Sequence, residues 1–69
     1  MMTADEIRAK ATTMLTSGEQ DLTTIWVEFI ARGGVGSIPD LDEFLAGLNP
    51  LDEVSVQLLG VTLQEIQNP

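Results

Sequence analysis

Apolar residues recur three and four positions apart along most of the chain, which is the spacing that places side chains on one face of an α-helix. The clearest such set is Leu22, Ile25, Trp26, Phe29 and Ile30. A second set earlier in the chain comprises Ile7, Ala11, Met14 and Leu15. The strongest strand-like alternation covers only residues 54–58 and follows a proline, so a helix fits that segment better. The pattern predicts an all-α fold.

Capping residues predict where the first two helices begin and end. Thr3 and Glu6 have the spacing of a capping box, with Met2 and Ile7 placed for the accompanying hydrophobic contact. Asp21 is predicted to cap the second helix. Glycines stop both helices, so we expect helices over residues 4–17 and 22–32.

The third helix has two candidate N-caps, Ser37 and Asp40. With Asp40 as the cap, the helix covers residues 40–48. Its predicted buried face consists of Leu41, Phe44, Leu45 and Leu48.

Asn49-Pro50 predicts the start of a fourth helix, because the residue before proline avoids helical angles and proline suits the first position. Leu51, Val54 and Leu58 share a face of this helix, with Val56 and Leu59 beside it. Apolar residues on more than one side indicate either a central helix or one that meets a second protein.

Gly60 is predicted to end the fourth helix, and Thr62 and Glu65 then form a second capping box. A single helix through Gly60 is the alternative. The predicted fold is thus a compact bundle of four short helices, at about 4–17, 22–32, 40–48 and 50–59, plus a short C-terminal turn at 63–67. The whole chain, residues 1–69, is expected to be one helical domain.

The composition lacks the residues that several kinds of binding and catalytic sites require. The chain has no Cys, His or Tyr, so it lacks a disulfide, the usual zinc ligands and the commonest catalytic bases and nucleophiles. We therefore expect no enzymatic activity, no catalytic residue, no metal and no cofactor. The N-terminus lacks the basic and apolar pattern of a secretory signal, and no apolar run is long enough to span a bilayer. The expected location is the cytoplasm.

The charge balance bears on the choice of partner. Three basic residues stand against eleven acidic ones, giving a net charge of −8, and no basic residue follows Arg32. Binding to nucleic acid or to an anionic membrane needs a cluster of Lys and Arg, which this chain cannot form. The charge favours a basic partner surface, and it also keeps a small protein soluble.

Three further motifs are explained more simply by structure than by function. The Gly-rich segment 33–37 lacks the Lys of a phosphate-binding loop and is interpreted as a linker. The acids Asp40, Asp42 and Glu43 form only a fragment of a calcium loop and suit a helix start. Helices 3 and 4 have the lengths of a helix-turn-helix, but the recognition helix would carry acids instead of cations.

Ser37 follows Gly36 and precedes Ile38 near a predicted helix start. In this feature, and in its size and acidity, the chain resembles acyl and peptidyl carrier proteins, which carry a modified Ser at a helix N-terminus. Gly36 stands where that family has Asp, and Pro39 follows closely. The resemblance implies a carrier-like domain modified at Ser37.

The first functional hypothesis is a non-enzymatic protein–protein interaction or regulatory module that binds another protein or a second copy of itself. Its candidate interaction residues are Trp26, Phe29, Val56 and Leu59. Trp26 is interpreted first as a core residue and, in the alternative, as an interface anchor. The second hypothesis is an acidic regulator that competes for a basic, nucleic-acid-binding surface on another protein. The carrier-like domain is the third.

Overall fold

The computed structural model describes residues 2–68. Within this part of the chain the secondary structure is entirely helical, which confirms the predicted fold class. The helices are α1 (Ala4–Thr16), α2 (Leu22–Ala31), α3 (Ile38–Leu45) and α4 (Glu53–Gln67).

Of the four helices, α1 and α2 are the shared packing partners of the other two. α4 packs against both α1 and α2, and α3 does the same. α3 and α4 do not pack extensively against each other. A gap therefore lies between α3 and the start of α4.

One apolar core joins all four helices. Ten side chains, none more than 6 % exposed, form it: Ile7, Ala11, Met14, Ile25, Phe29, Leu41, Phe44, Val56, Leu59 and Leu63. Burial of these side chains supplies the main stabilising free energy of a chain that has no cysteine to cross-link.

The first two helices begin as predicted. The Thr3 hydroxyl accepts from the Glu6 amide at 3.1 Å, and the Glu6 carboxylate accepts from the Thr3 amide at 2.9 Å. Asp21 accepts from the Thr24 amide at 2.7 Å. These bonds satisfy backbone donors that have no partner inside the helix.

α3 begins earlier than the predicted residue 40, because Ser37 is its N-cap. The Ser37 hydroxyl accepts from the Asp40 amide at 3.3 Å, and the Asp40 carboxylate accepts from the Ser37 amide at 2.9 Å. The predicted end at residue 48 is also wrong, since the helix stops at Leu45 and Gly47 turns the chain with a positive φ of 79°. Leu48, predicted to be buried, is 73 % exposed as a result.

The predicted start of the fourth helix at Asn49-Pro50 is wrong. Asp52 is the N-cap of α4: its carboxylate accepts from the Ser55 amide at 3.1 Å and from the Ser55 hydroxyl at 2.6 Å. The Asn49 side chain instead donates to the Glu43 carboxylate. Val54, predicted on the buried face, is 77 % exposed, because it lies in the first turn away from the core.

The predicted break at Gly60 is also wrong, and the alternative of one continuous helix is confirmed. Gly60 is buried, and a Cβ added there would lie 3.0 Å from the Ile7 Cδ1 atom, so α1 approaches α4 closely at this point. Thr62 caps nothing: it is fully buried within α4, and its hydroxyl donates to the Leu58 carbonyl at 2.8 Å. The segment predicted as a separate turn at 63–67 is the last part of α4.

Candidate interaction surface

Three of the four candidate interaction residues lie in the core. Phe29, Val56 and Leu59 are 2 %, 6 % and 0 % exposed, while Trp26 is half-buried. Of the four, Trp26 therefore has the most side-chain surface within reach of a partner in this conformation. The proposed contact of these residues with a partner stays a prediction.

Trp26 holds the segment between α2 and α3 in place. Its ring packs against the core, and its indole Nε1 donates to the Gly36 carbonyl at 3.1 Å. A tryptophan with an apolar ring and one polar donor suits such a position at the edge of a core. The loop before α3 is thereby tied to α2.

Arg8 joins α1 to the end of α3. Its Nε donates to the Phe44 carbonyl at 2.7 Å, and its guanidinium lies 4.5 Å from the centroid of the Phe44 ring. The same side chain pairs with Asp5 at 2.8 Å. The charge of Arg8 is thus directed at groups of its own chain.

Arg32 joins the end of α2 to α4. Its Nη1 donates to the Glu28 carboxylate at 2.9 Å and to the Glu28 carbonyl at 3.0 Å, and its Nε pairs with Glu65. Hydrogen bonds to Glu28 and then to Glu65 raise the pKa of Arg32 above its ordinary value. Both arginines are therefore engaged within the bundle, and among residues 2–68 Lys10 has no ion pair.

A carboxylate accepts hydrogen bonds at the start of every helix. These groups are Glu6, Asp21, Asp40 and Asp52. A backbone N–H is the main cause of the lowered pKa of the first three carboxyls, and the Ser55 hydroxyl is the main cause for Asp52. Part of the acidity of the chain thus serves to begin its helices.

A cleft of about 460 Å³ opens between α3 and the start of α4, where these two helices do not pack on each other. We call it the α3–α4 cleft. Its lining comprises Val35, Gly36, Asp40, Glu43, Asn49, Pro50, Leu51, Asp52 and Ser55. The Trp26 hydrogen bond to Gly36 fixes one side of it, and the Asn49 contact with Glu43 fixes another.

Of the large exposed apolar side chains, one lies in the cleft lining and two are adjacent in sequence to lining residues. Val35, in its lining, is 70 % exposed. Leu48 and Val54 are 73 % and 77 % exposed, and each is the chain neighbour of a lining residue. Exposed apolar groups next to a concave surface are typical of binding sites.

The sequence reasoning missed the cleft because it assigned Leu48 and Val54 to buried faces. The available signal was the helix-breaking residues Gly47 and Asn49-Pro50, which flank Leu48. They place Leu48 in the segment between α3 and α4, outside both helices. Whether two helices leave a gap between them depends on contacts between residues that are far apart in the sequence.

The acidic residues of the cleft do not converge on one point. Among residues 2–68 no three carboxylates, including the Asp40, Asp42 and Glu43 group, are arranged to hold a metal ion. In the same part of the chain, no helix combines the length and the apolar character needed to cross a lipid bilayer. Ser37 is exposed at the start of α3, with its hydroxyl used as the helix cap.

No protein-family model, curated protein sequence or solved structure matches the chain.

Proposed function

We propose that this protein is a non-enzymatic protein–protein interaction module of the cytoplasm that binds a basic surface of its partner. The observation that carries the proposal is the use of both arginines inside the bundle. Arg8 and Arg32 contact Asp5, Glu28 and Glu65, which leaves eight acidic residues outside these ion pairs. A partner therefore meets a surface that is almost purely anionic.

This surface is charged at physiological pH, because carboxyl groups ordinarily titrate near about pH 4. Hydrogen bonds at the helix starts lower the pKa of the four capping carboxyls further. Charge complementarity of this kind speeds association and selects partners. One such partner is a protein whose basic surface otherwise binds nucleic acid. By occupying that surface, the acidic chain would act as a regulator of the partner.

The test is affinity capture of partners from cells that express the protein, with a series of salt washes and a polyanion as competitor. We expect a captured protein whose contact surface is rich in Lys and Arg. It should be released as salt rises from about 0.05 to 0.5 M, where charge screening becomes strong. Heparin should release it as well. Capture that is insensitive to salt would contradict the proposal, as would the absence of any partner.

A variant with two fewer negative charges makes this test more specific. Asp42→Asn combined with Glu53→Gln removes two exposed charges that cap no helix, so folding should be unchanged. We expect weaker capture and a shallower salt dependence. The matched control, Thr13→Ser with Thr23→Ser, alters exposed residues without changing charge and should bind as the native protein does.

The exposure of Ser37 at a helix N-terminus supports a second candidate, a carrier domain modified at this residue. Intact mass after expression with a phosphopantetheinyl transferase tests it. A mass increase that Ser37→Ala abolishes is the expected result for a carrier, and an unmodified protein would exclude that function.

A further inference from the structure

We infer that the α3–α4 cleft is the docking site, and that its occupant is a partner segment carrying an apolar side chain next to a Lys or Arg. This inference rests on the proposed function and gives it a location. The cleft volume of about 460 Å³ lies within the range of about 300–1,000 Å³ that is usual for binding pockets.

The apolar part of the occupant follows from the exposed side chains. Val35, Leu48 and Val54 are the three most exposed large apolar residues among residues 2–68. Val35 lies in the lining, and the other two are adjacent in sequence to the lining residues Asn49 and Ser55. Pro50 and Leu51 add apolar surface to the lining itself. Covering these groups removes apolar surface from water, which favours binding of a segment with a matching apolar side chain.

The basic part of the occupant follows from the carboxylates that line the same cleft. Asp40 and Asp52 are fixed by their capping hydrogen bonds, and Glu43 is held by Asn49. A Lys or Arg beside the apolar side chain would pair with one of these carboxylates in its present position.

The charge also argues against a second copy of this chain as the occupant. A second copy offers few free cations, because Arg8 and Arg32 are already engaged with their own carboxylates. Two clefts brought face to face would oppose like charges, which is destabilising. A segment from another protein that carries an apolar and a basic side chain complements both the apolar residues and the carboxylates of the cleft.

Trp26 provides a built-in reporter for occupancy. It is the only tryptophan, and its indole N–H is bonded to Gly36 in the cleft lining. A ligand that moves or desolvates this loop should change the tryptophan emission.

The experiment measures the affinity of the 69-residue chain for two synthetic peptides of equal charge, by calorimetry and by Trp26 fluorescence. One twelve-residue peptide combines Lys with Leu, and the other replaces each Leu with Ser. We expect the Lys–Leu peptide to bind about tenfold more tightly, which corresponds to about 1.4 kcal/mol. Equal affinities would overturn the apolar part of the inference.

Variants of the cleft are compared with matched variants elsewhere on the surface. Val35→Ser and Glu43→Gln change exposed or partly exposed lining groups that cap no helix, and together they should weaken Lys–Leu binding about tenfold. The controls Val27→Ser and Glu19→Gln make the same chemical changes on α2 and before it, and should alter affinity by less than about twofold. If Val35→Ser does not fold, as judged by circular dichroism, Glu43→Gln is compared with Glu19→Gln alone.

The possible results separate this inference from the proposed function. Equal weakening by cleft and control variants would overturn the cleft as the site but would leave binding to a basic partner intact. Failure of both peptides to bind would overturn the stated occupant, and the salt-dependent capture described above would then decide the proposed function separately. A dimer in sedimentation that Val35→Ser dissociates would show a second copy in the cleft and would also overturn the inference.

Discussion

The capping carboxylates show how single residues link the sequence to pH-dependent stability. Asp21 accepts from the Thr24 amide at the start of α2, and this hydrogen bond lowers the pKa of its carboxyl. A group with a lowered pKa in the folded state binds fewer protons there than in the unfolded chain. Its stabilising contribution is therefore complete above the unfolded pKa and is lost as pH falls through the folded pKa.

We predict that the melting temperature falls on acidification below about pH 4, the ordinary range of carboxyl groups. Asp21→Asn should reduce this fall, because Asn caps a helix about as well as Asp but does not titrate. Thermal melts of both proteins from pH 7 to pH 3, in salt high enough to screen net repulsion, provide the measurement. Identical pH profiles would show that the Asp21 cap does not contribute.

At the scale of elements, α1 approaches α4 closely at Gly60, in the middle of α4. Gly60 lies on the same face as Val56 and Leu63, since residues three and four apart share a helix face. Because glycine has no side chain, its place on this face of α4 lets α1 approach closely, and the Ile7 side chain occupies the space. The continuous helix follows from burial on both sides of Gly60.

A double-mutant cycle tests this contact. Gly60→Ala alone should gain about 1 kcal/mol of helix propensity but lose as much or more by crowding the Ile7 Cδ1 atom. In an Ile7→Val background, which lacks that atom, Gly60→Ala should be more favourable by about 1 kcal/mol. Urea unfolding of the four proteins gives the coupling, and strict additivity would contradict the close approach.

The elements differ in how far the sequence could predict them. The starts of α1 and α2 depend on residues three positions apart, so the Thr3–Glu6 box and the Asp21 cap were visible. Gly60 looked like a helix end because its role depends on Ile7, which is distant in the chain. The cleft was hidden for the same reason, since no local pattern states that α3 and α4 stay apart.

At the scale of the whole molecule, the chain is as compact as a monomer of its size. Its radius of gyration is 10.5 Å, against about 11 Å expected for a domain of this length. Its accessible surface is 4090 Å², against about 4,250 Å² expected for its mass. A single copy of the chain therefore encloses its apolar core, and the proposed partner surface lies on the outside of the bundle.

Mapping of the binding surface by NMR tests the central claim most directly. The ¹⁵N-labelled protein is titrated with the Lys–Leu peptide, and amide and indole shifts are followed. We predict that the largest changes fall on Val35, Asn49, Leu51 and Ser55, together with the indole N–H of Trp26. Changes spread evenly over the acidic residues of all four helices, or concentrated on α1, would contradict a docking site between α3 and α4.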